Sequence, residues 1–567
     1  MVDSMKPKIS IGIQDFAALR EQNCFLVDKT DFIKSWWESK DVVTLITRPR
    51  RFGKTLNMSM LNCFFSLQYQ NREDLFEGLY VWNDPVYQKI QGSYPVIYLS
   101  FADVKQNCYG DTVQKIRHII GDTYRRHRYL LEQDCFTEVE KQQFTKIMNC
   151  EMDEVTVQDA LKNLSYYLYH YWKKRVIILL DEYDTPMQEA YVFGYWDAFT
   201  GFIRGLFNSS FKTNPYLERA VMTGITRVSK ESVFSDLNNL KVVTITSEEY
   251  ADCFGFTEAE VFKALDQSGL ADKKAEVKQW YDGFTFGSRK DIYNPWSITN
   301  YLDTAKLQPF WASTSSNNLV SKLIQTSSAE IKEKMEELLR GNQIAVTFDE
   351  QIVFDQLGKN ESAIWSLMLA SGYLKADDVE YRGLLREPWY HLSITNLETV
   401  SMFSGMFKGW FGITQTSYNR FVKALLQGDM DAMNYYMNEV SFATFSFFDT
   451  GKEPDSELER FYHGFVLGLL ADQAENYDIR SNLESGFGRY DVMLIPKKKH
   501  QENMPAVILE FKVYNPRKEA SLEETVKEAL KQIEEKQYDA ELIAQGIRKE
   551  QIRHYGFAFE GKKVLIG

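Results

Sequence analysis

The sequence predicts a multidomain α/β protein, and three stretches carry that prediction. An apolar, β-branched run closes on Gly-Lys-Thr at 42–55, a second apolar run closes on Asp-Glu at 174–182, and a two-strand pattern at 489–513 places charges on one face. At 567 residues the chain is too long for one ordinary core, and its length favours about three or four domains. A composition of 44% hydrophobic and 26% charged residues is that of a folded soluble protein. The longest apolar runs, such as "VIILL" at 176–180, fall far short of the roughly 20 residues a membrane helix needs. The opening "MVDSMKPKIS" has no apolar signal core, so a cytoplasmic location without membrane association is expected. Six cysteines are scattered without a C-x-x-C pair, which suggests neither a zinc site nor a disulfide framework. The formal net charge of −13 disfavours a protein coated in positive potential. Three basic segments, 48–51, 124–128 and 496–500, remain as local candidates for phosphate contact, each more simply read as a solvated loop or helix face.

The first element is "TLITRPRRFGKTLNMSML" at 44–61. A strand, a tight basic segment and a helix opening on Gly53-Lys54-Thr55 form the context of a phosphate-binding loop, whose pattern is G-x-x-x-x-G-K-[ST]. In such a loop the lysine reaches the terminal phosphates, the hydroxyl holds magnesium, and the free N–H groups of the helix start face the anion. Arg48 stands where the first glycine belongs, and Arg50 and Arg51 offer charge in its place.

The second element, "KRVIILLDEYDTP" at 174–186, is a continuous apolar strand with Asp181 and Glu182 at its C-terminal end, where ligands of open α/β sheets bind. A magnesium-assisted NTPase needs this pair, one carboxylate for the hydrated metal and the next to orient and deprotonate the attacking water. The third, "ERAVMTGITRVS" at 218–229, reads as the extra strand of an additional-strand P-loop ATPase. Thr223 is its candidate phosphate sensor and Arg227 a cationic one; a plain strand threonine and a solvated arginine fit equally well.

Taken in order, "FLVDKTDFI" (25–33), "LITRPRRFGKTLNMSML" (45–61), "VIILLDEYDTPM" (176–187), "VMTGITRVSKESVFSDLNNL" (221–240), "YADCFGFTEAEV" (250–261), "WYDGFTFG" (280–287) and "YNPWSI" (293–298) resemble the bacterial AAA-ATPase-like proteins. The resemblance implies that the arginine-bearing loop is a family variant. It also implies that Lys54 and Thr55 serve phosphate and magnesium, and that Asp181 and Glu182 are the metal-associated and catalytic carboxylates.

From 246 to 440 short helical segments with aromatic punctuation suggest a helical lid grading into a helical or winged-helix-like connector. The aromatic motifs at 280–287 and 293–298 are read more simply as core under an irregular loop than as a nucleotide cover.

The third region, 441–567, centres on "RYDVMLIP" and "PAVILEFKV", two strands of a hairpin. Alternation puts Ile508, Glu510 and Lys512 on one face and Val507, Leu509 and Phe511 on the other. Burying a carboxylate and an ammonium costs several kcal/mol each unless they are paired or bind a metal. A divalent site of Asp491, Glu510 and the Phe511 carbonyl, with Lys512 serving the water, answers that cost; an exposed edge-strand Glu and Lys is the plainer alternative. With the helix pattern at 521–542 these strands reproduce the strand–strand–helix core of the nuclease fold with the PD-(D/E)XK motif, and the last 110 or so residues resemble the domain of that superfamily carried by the same ATPase family. Tyr490 stands where the motif's proline would be. A further acid is sought upstream at Glu459 or Glu457, with His463 and Glu484 as outside candidates.

The expected organisation is therefore an AAA-like P-loop ATPase domain at 1–245, a lid and connector at 246–440 and a restriction-endonuclease-like α/β domain at 441–567. Expected ligands are ATP with Mg2+, Mn2+ as an alternative at the nuclease site, and DNA or RNA; an oligomer is compatible with these features. A role in defence or mobile-element handling is one expectation. The competing readings are a nucleotide-switched binding or signalling module with an inactive nuclease fold, and an interaction protein with neither activity.

Overall fold

A computed structural model describes residues 8–227, 233–234, 237–312, 318–348, 362–410, 415–448, 465, 467–469, 472–481, 484–485, 488–489, 491–561 and 563–567. The chain divides into two compact units, residues 1–314 with 345–398, and residues 315–344 with 399–567.

The first unit is organised by five parallel strands, β1 (Val43–Thr47), β2 (Val96–Ser100), β3 (Val176–Asp181), β4 (Leu217–Gly224) and β5 (Leu240–Val243). Their spatial order is β2-β3-β4-β1-β5, with every neighbouring pair parallel. β4 thus lies between the strand that leads into the Gly-Lys-Thr loop and the strand that ends in Asp181, the arrangement of an additional-strand P-loop fold. β1 and β3 are buried along their whole length, as unbroken apolar runs inside a parallel sheet must be. Helix α1 (Lys54–Phe65) follows the loop and buries Met58, Leu61, Phe64 and Phe65.

Further along, helix α2 (Glu258–Ser268) begins at a reciprocal Thr257–Glu260 capping box and stops at Gly269, whose φ of 76° favours glycine. Between the helices the structure adds strands: β6 (Phe256–Thr257), β7 (Phe284–Phe286) and β8 (Arg289–Tyr293) form an antiparallel sheet in the order β6-β8-β7. Helix α3 (Pro295–Thr304) starts where the Asn294 side chain accepts from the Trp296 and Ser297 N–H groups. A long hairpin, β9 (Leu374–Arg382) and β10 (Glu387–Ile394), comes later in the same unit.

The second unit holds a mixed sheet of β11 (Tyr477–Ser481), β12 (Val492–Pro496), β13 (Ala506–Val513), β14 (Ile552–Glu560) and β15 (Lys563–Ile566), side by side in that order. β13 and β14 are parallel and the other pairs antiparallel. The parallel pair requires a crossover, supplied by helix α4 (Leu522–Glu535). Met493, Ile495, Ala506 and Ile508 pack with Ile533 and Tyr538 on one face, while Phe511 stacks on Phe557 at 4.7 Å on the other. The helical pattern at 521–542 resolves into α4 and a short helix, Asp539–Ala544, separated at Gln537, whose φ is 53°.

No described helix is long and apolar enough to cross a membrane. All six cysteines are free; Cys24, Cys63 and Cys253 are buried, whereas Cys108 and Cys135 are exposed.

Candidate functional site

The loop after β1 is shaped by its backbone. Arg51 and Gly53 take left-handed φ values of 66° and 78°, which turn the chain so that α1 starts at Lys54. A Cβ on Gly53 would meet nothing within 4 Å, so glycine is required there by conformation and not by space. Lys54 is buried and donates to the Arg48 and Pro49 carbonyls at 3.0 and 2.9 Å, folded along its own loop. Burial lowers its pKa, and Glu182, Asp181 and Asp184 oppose that shift.

Asp181 closes β3 and accepts from two hydroxyls, Thr55 Oγ1 at 2.8 Å and Thr223 Oγ1. Burial raises its pKa against those two hydrogen bonds. Thr223 therefore sits behind Asp181, in the core of β4, and does not line the cavity. Glu182 takes a left-handed φ of 51° just beyond the strand, lines the cavity and accepts from Thr185 Oγ1 at 3.1 Å. A non-glycine residue in that region is an outlier of the kind found at functional sites. The cavity has a volume of about 450 Å³ and its lining includes Arg50, Arg51, Gly53, Lys54 and Thr55. That is within the range of small-molecule sites.

The aromatic motifs divide. Phe284 and Phe286 are core, packed on Phe52 at 4.8 and 5.3 Å, whereas Trp296 lines the cavity with the Arg51 guanidinium 4.4 Å from its ring. Arg227 lies elsewhere, in a separate recess with Phe348, Glu387 and Tyr390.

Arg48 points away from the cavity. Its guanidinium donates to the Thr244 carbonyl and, at 3.1 Å, to that of Glu249, and it lies 4.5 Å from the Phe286 ring. Burial lowers its pKa to about 10, which leaves it charged at neutral pH. The residue in the missing glycine's place is thus a structural clamp between the loop and the segment after β5. Asp184 is a second residue that sequence reasoning missed. Fully buried, it accepts from the Ile225 and Thr226 N–H groups at 3.0 and 2.8 Å and from Thr226 Oγ1 at 2.8 Å, tying the end of β3 to the end of β4. Gly224 must be small, because a Cβ there would lie 2.7 Å from Asp184 Oδ1.

In the second unit, the Val492–Leu509 pair of the β12–β13 ladder puts Asp491 one step further, opposite Glu510. Asp491 Oδ2 accepts from the Phe511 N–H at 2.6 Å. Glu510 is 3% exposed; one carboxylate oxygen accepts from Gln532 Nε2, and Oε2 has no hydrogen-bond partner among the described residues. Burial, followed by the neighbouring Asp491, pushes its pKa up to about 8, while Lys512 pulls the other way. Lys512 Nζ donates to Gln532 Oε1 at 2.7 Å, so a single amide from α4 spans both charged residues. Gln532 also donates to Tyr538 OH at 3.2 Å, a contact that the break at Gln537 makes available. Glu457, Glu459, His463 and Tyr490 lie outside the described residues, and Glu484 belongs to a two-residue strand paired with Gly488–Arg489.

The donor sets suit the groups these folds use. Thr55 beside Asp181, with Lys54, Arg50 and Arg51 at the cavity, fits a magnesium nucleotide. A buried carboxylate beside a second carboxylate, with one oxygen unpartnered among the described residues, fits a divalent cation.

Together the two sites define a P-loop ATPase fold and a nuclease fold in one chain. Residues 10–234 match the family model described as Predicted AAA-ATPase, and residues 457–567 match that of the PD-(D/E)XK nuclease superfamily. The chain carries an AAA-ATPase-like domain followed by a PD-(D/E)XK nuclease superfamily domain. It is 24% identical over 398 residues to an uncharacterized protein encoded in the vnfD 5' region of Azotobacter chroococcum mcd 1, covering 69% of this chain and 68% of the other.

Proposed function

We propose that the protein binds and hydrolyses ATP at the loop after β1 and cleaves nucleic acid phosphodiesters at the Asp491–Glu510–Lys512 cluster. The observation that carries the nuclease half is Glu510, a buried carboxylate set opposite Asp491 with Lys512 on the same strand face, one of whose oxygens has no hydrogen-bond partner among the described residues. Neighbouring carboxylates raise one another's pKa, and a cation relieves the repulsion. A bound Mg2+ or Mn2+ supplies Lewis acidity and an acidified water. Asp491 and Glu510 hold the charge in place, and Lys512 orients the water on the same face. In the ATPase half, Lys54 reaches the terminal phosphates, Thr55 and Asp181 hold the magnesium side, and Glu182 accepts the proton of the attacking water. ATP gating of the nuclease, and a role in defence or mobile-element handling, extend this reading.

The test is incubation of the protein with plasmid, linear and single-stranded DNA and with RNA, in magnesium and in manganese, with and without ATP, beside an Asp491→Ala, Glu510→Ala double variant. Cleavage by the parent alone supports the proposal. Equal cleavage by both points to contamination.

A second reading, a nucleotide-switched binding module with a silent nuclease fold, draws support from Gln532, whose amide already engages both Glu510 and Lys512. Absence of cleavage in every condition, with ATP binding intact, favours it.

A further inference from the structure

The motif "YNPWSI" at 293–298 holds one aromatic side chain that the core does not take in. Tyr293 and Ile298 are fully buried, whereas Trp296 is half-buried and lines the cavity at the loop after β1. Two anchors set its position. The Asn294 side chain, itself buried, accepts from the Trp296 and Ser297 N–H groups at 2.9 and 3.4 Å. Its Nδ2 donates to the Arg50 carbonyl at 3.2 Å, which ties the start of α3 to the phosphate loop. On the next residue, Ser297 Oγ donates at 2.8 Å to Glu398, a fully buried carboxylate that also accepts from the Trp311 and Ala312 N–H groups. The indole lies between these two fixed residues, with the Arg51 guanidinium 4.4 Å from its ring. Small-molecule sites hold their contact residues with supporting bonds of this kind.

The cavity lining carries two chemistries. Lys54, Thr55 and Glu182 belong to the triphosphate, its metal and the attacking water on the reading above. Phe25, Leu26 and Phe256 line the same cavity without a polar side-chain atom to offer a phosphate, and Phe25 meets Phe256 edge to face at 6.3 Å. An apolar and aromatic lining around a few charged groups suits a ligand with one flat, weakly polar part and one anionic part. Trp296 brings the largest π face to that lining, and Asn294 fixes it beside the phosphate loop.

We infer that Trp296 is the base-recognising residue of the nucleotide site: its indole stacks against the purine ring of ATP while the loop holds the phosphates. Arg51 joins the two parts, its backbone in the loop and its guanidinium on the indole. Stacking of a base on an aromatic side chain is a substantial source of affinity, because every base presents a π face. This role rests on the proposed ATP binding and adds to it what holds the base.

The test is calorimetric titration of the full chain with magnesium ATP and with magnesium tripolyphosphate, which carries phosphates without a base. The readout is the ratio of the two affinities. Trp296→Ala should weaken ATP about tenfold and leave tripolyphosphate unchanged, whereas Trp296→Phe, which keeps a ring, should hold ATP within about threefold of the parent. Trp296→Leu keeps apolar bulk without a ring; it should also weaken ATP selectively, and it replaces the alanine variant if that protein loses its cooperative melt by circular dichroism. Equal losses for both ligands would make Trp296 a positioning residue for Arg51 and overturn the base contact. An unchanged affinity for both would overturn it too, and in either case the phosphate-loop reading stands. A parent that binds neither ligand removes the ATP reading and the base contact together.

Discussion

The buried carboxylates of the two candidate sites, Asp181 at the end of β3 and Glu510 within β13, differ in how they are satisfied. Asp181 is buried with both oxygens accepting hydroxyls, whereas Glu510 is buried with one oxygen bonded and the other without a partner among the described residues. The first site is organised by protein atoms, through a left-handed loop, a lysine laid along its own carbonyls and a carboxylate between two threonines. At the second, one carboxylate oxygen has no hydrogen-bond partner among the described residues. Ligand binding should accordingly change stability more at the second site, and mutation should expose the contrast.

The largest effects belong to the proposed chemistry. Lys54→Ala should weaken ATP binding about 100-fold or more, measured by titration with a fluorescent ATP analogue, because the loop loses its charge-assisted phosphate contact. Glu182→Gln should keep the affinity and cut turnover by about 10²–10⁴-fold in a steady-state phosphate-release assay. Unchanged turnover would move the base to another residue.

A smaller effect separates the two carboxylates directly. Asp181→Ala strands two hydroxyls in the core and should destabilise the first unit by about 1–3 kcal/mol in urea. Glu510→Gln removes the cost of an under-satisfied acid and should be neutral or stabilising in cation-free buffer. Matching losses in the two variants would remove the contrast.

pH sharpens it further. With its folded pKa at about 8, above the ordinary 4.5, Glu510 binds its proton more tightly in the folded state. The stability it contributes is complete below about pH 4.5 and is lost as pH rises to about 8. Without divalent cations, melting of the second unit should therefore decline across that window in the parent and decline less in Glu510→Gln. Parallel curves would contradict the shift.

Much of this was legible because burial imprints itself on strands. β1 and β3 read as continuous apolar runs because both of their faces are covered, and β13 as an apolar strand with Glu510 and Lys512 set into one face. The Gly-Lys-Thr and Asp-Glu steps are local motifs, legible in the sequence without knowledge of the packing. What stayed hidden depends on where a side chain travels. Arg48 in the glycine position showed only that the loop departs from the usual pattern; its length carries the guanidinium to the Thr244 and Glu249 carbonyls, about 200 residues on in the chain. Asp184 carried no functional reading in the sequence; its side chain makes no backbone cap for the helix it precedes and bonds the Ile225 and Thr226 N–H groups at the end of β4. Gln532 bears no local signal of its partners, and only the packing of α4 on β13 brings it to Glu510 and Lys512.

The central claim is that the Asp491–Glu510 site is completed by a divalent cation, and manganese calorimetry tests it most directly. Titrations of the parent and of Glu510→Gln at pH 7, without nucleotide, in two buffers of different ionisation enthalpy, report both occupancy and proton release. Because Glu510 is largely protonated at that pH, the parent should bind one Mn2+ that the variant does not, with up to about one proton released. Identical isotherms for the two proteins, or no heat from either, would contradict it.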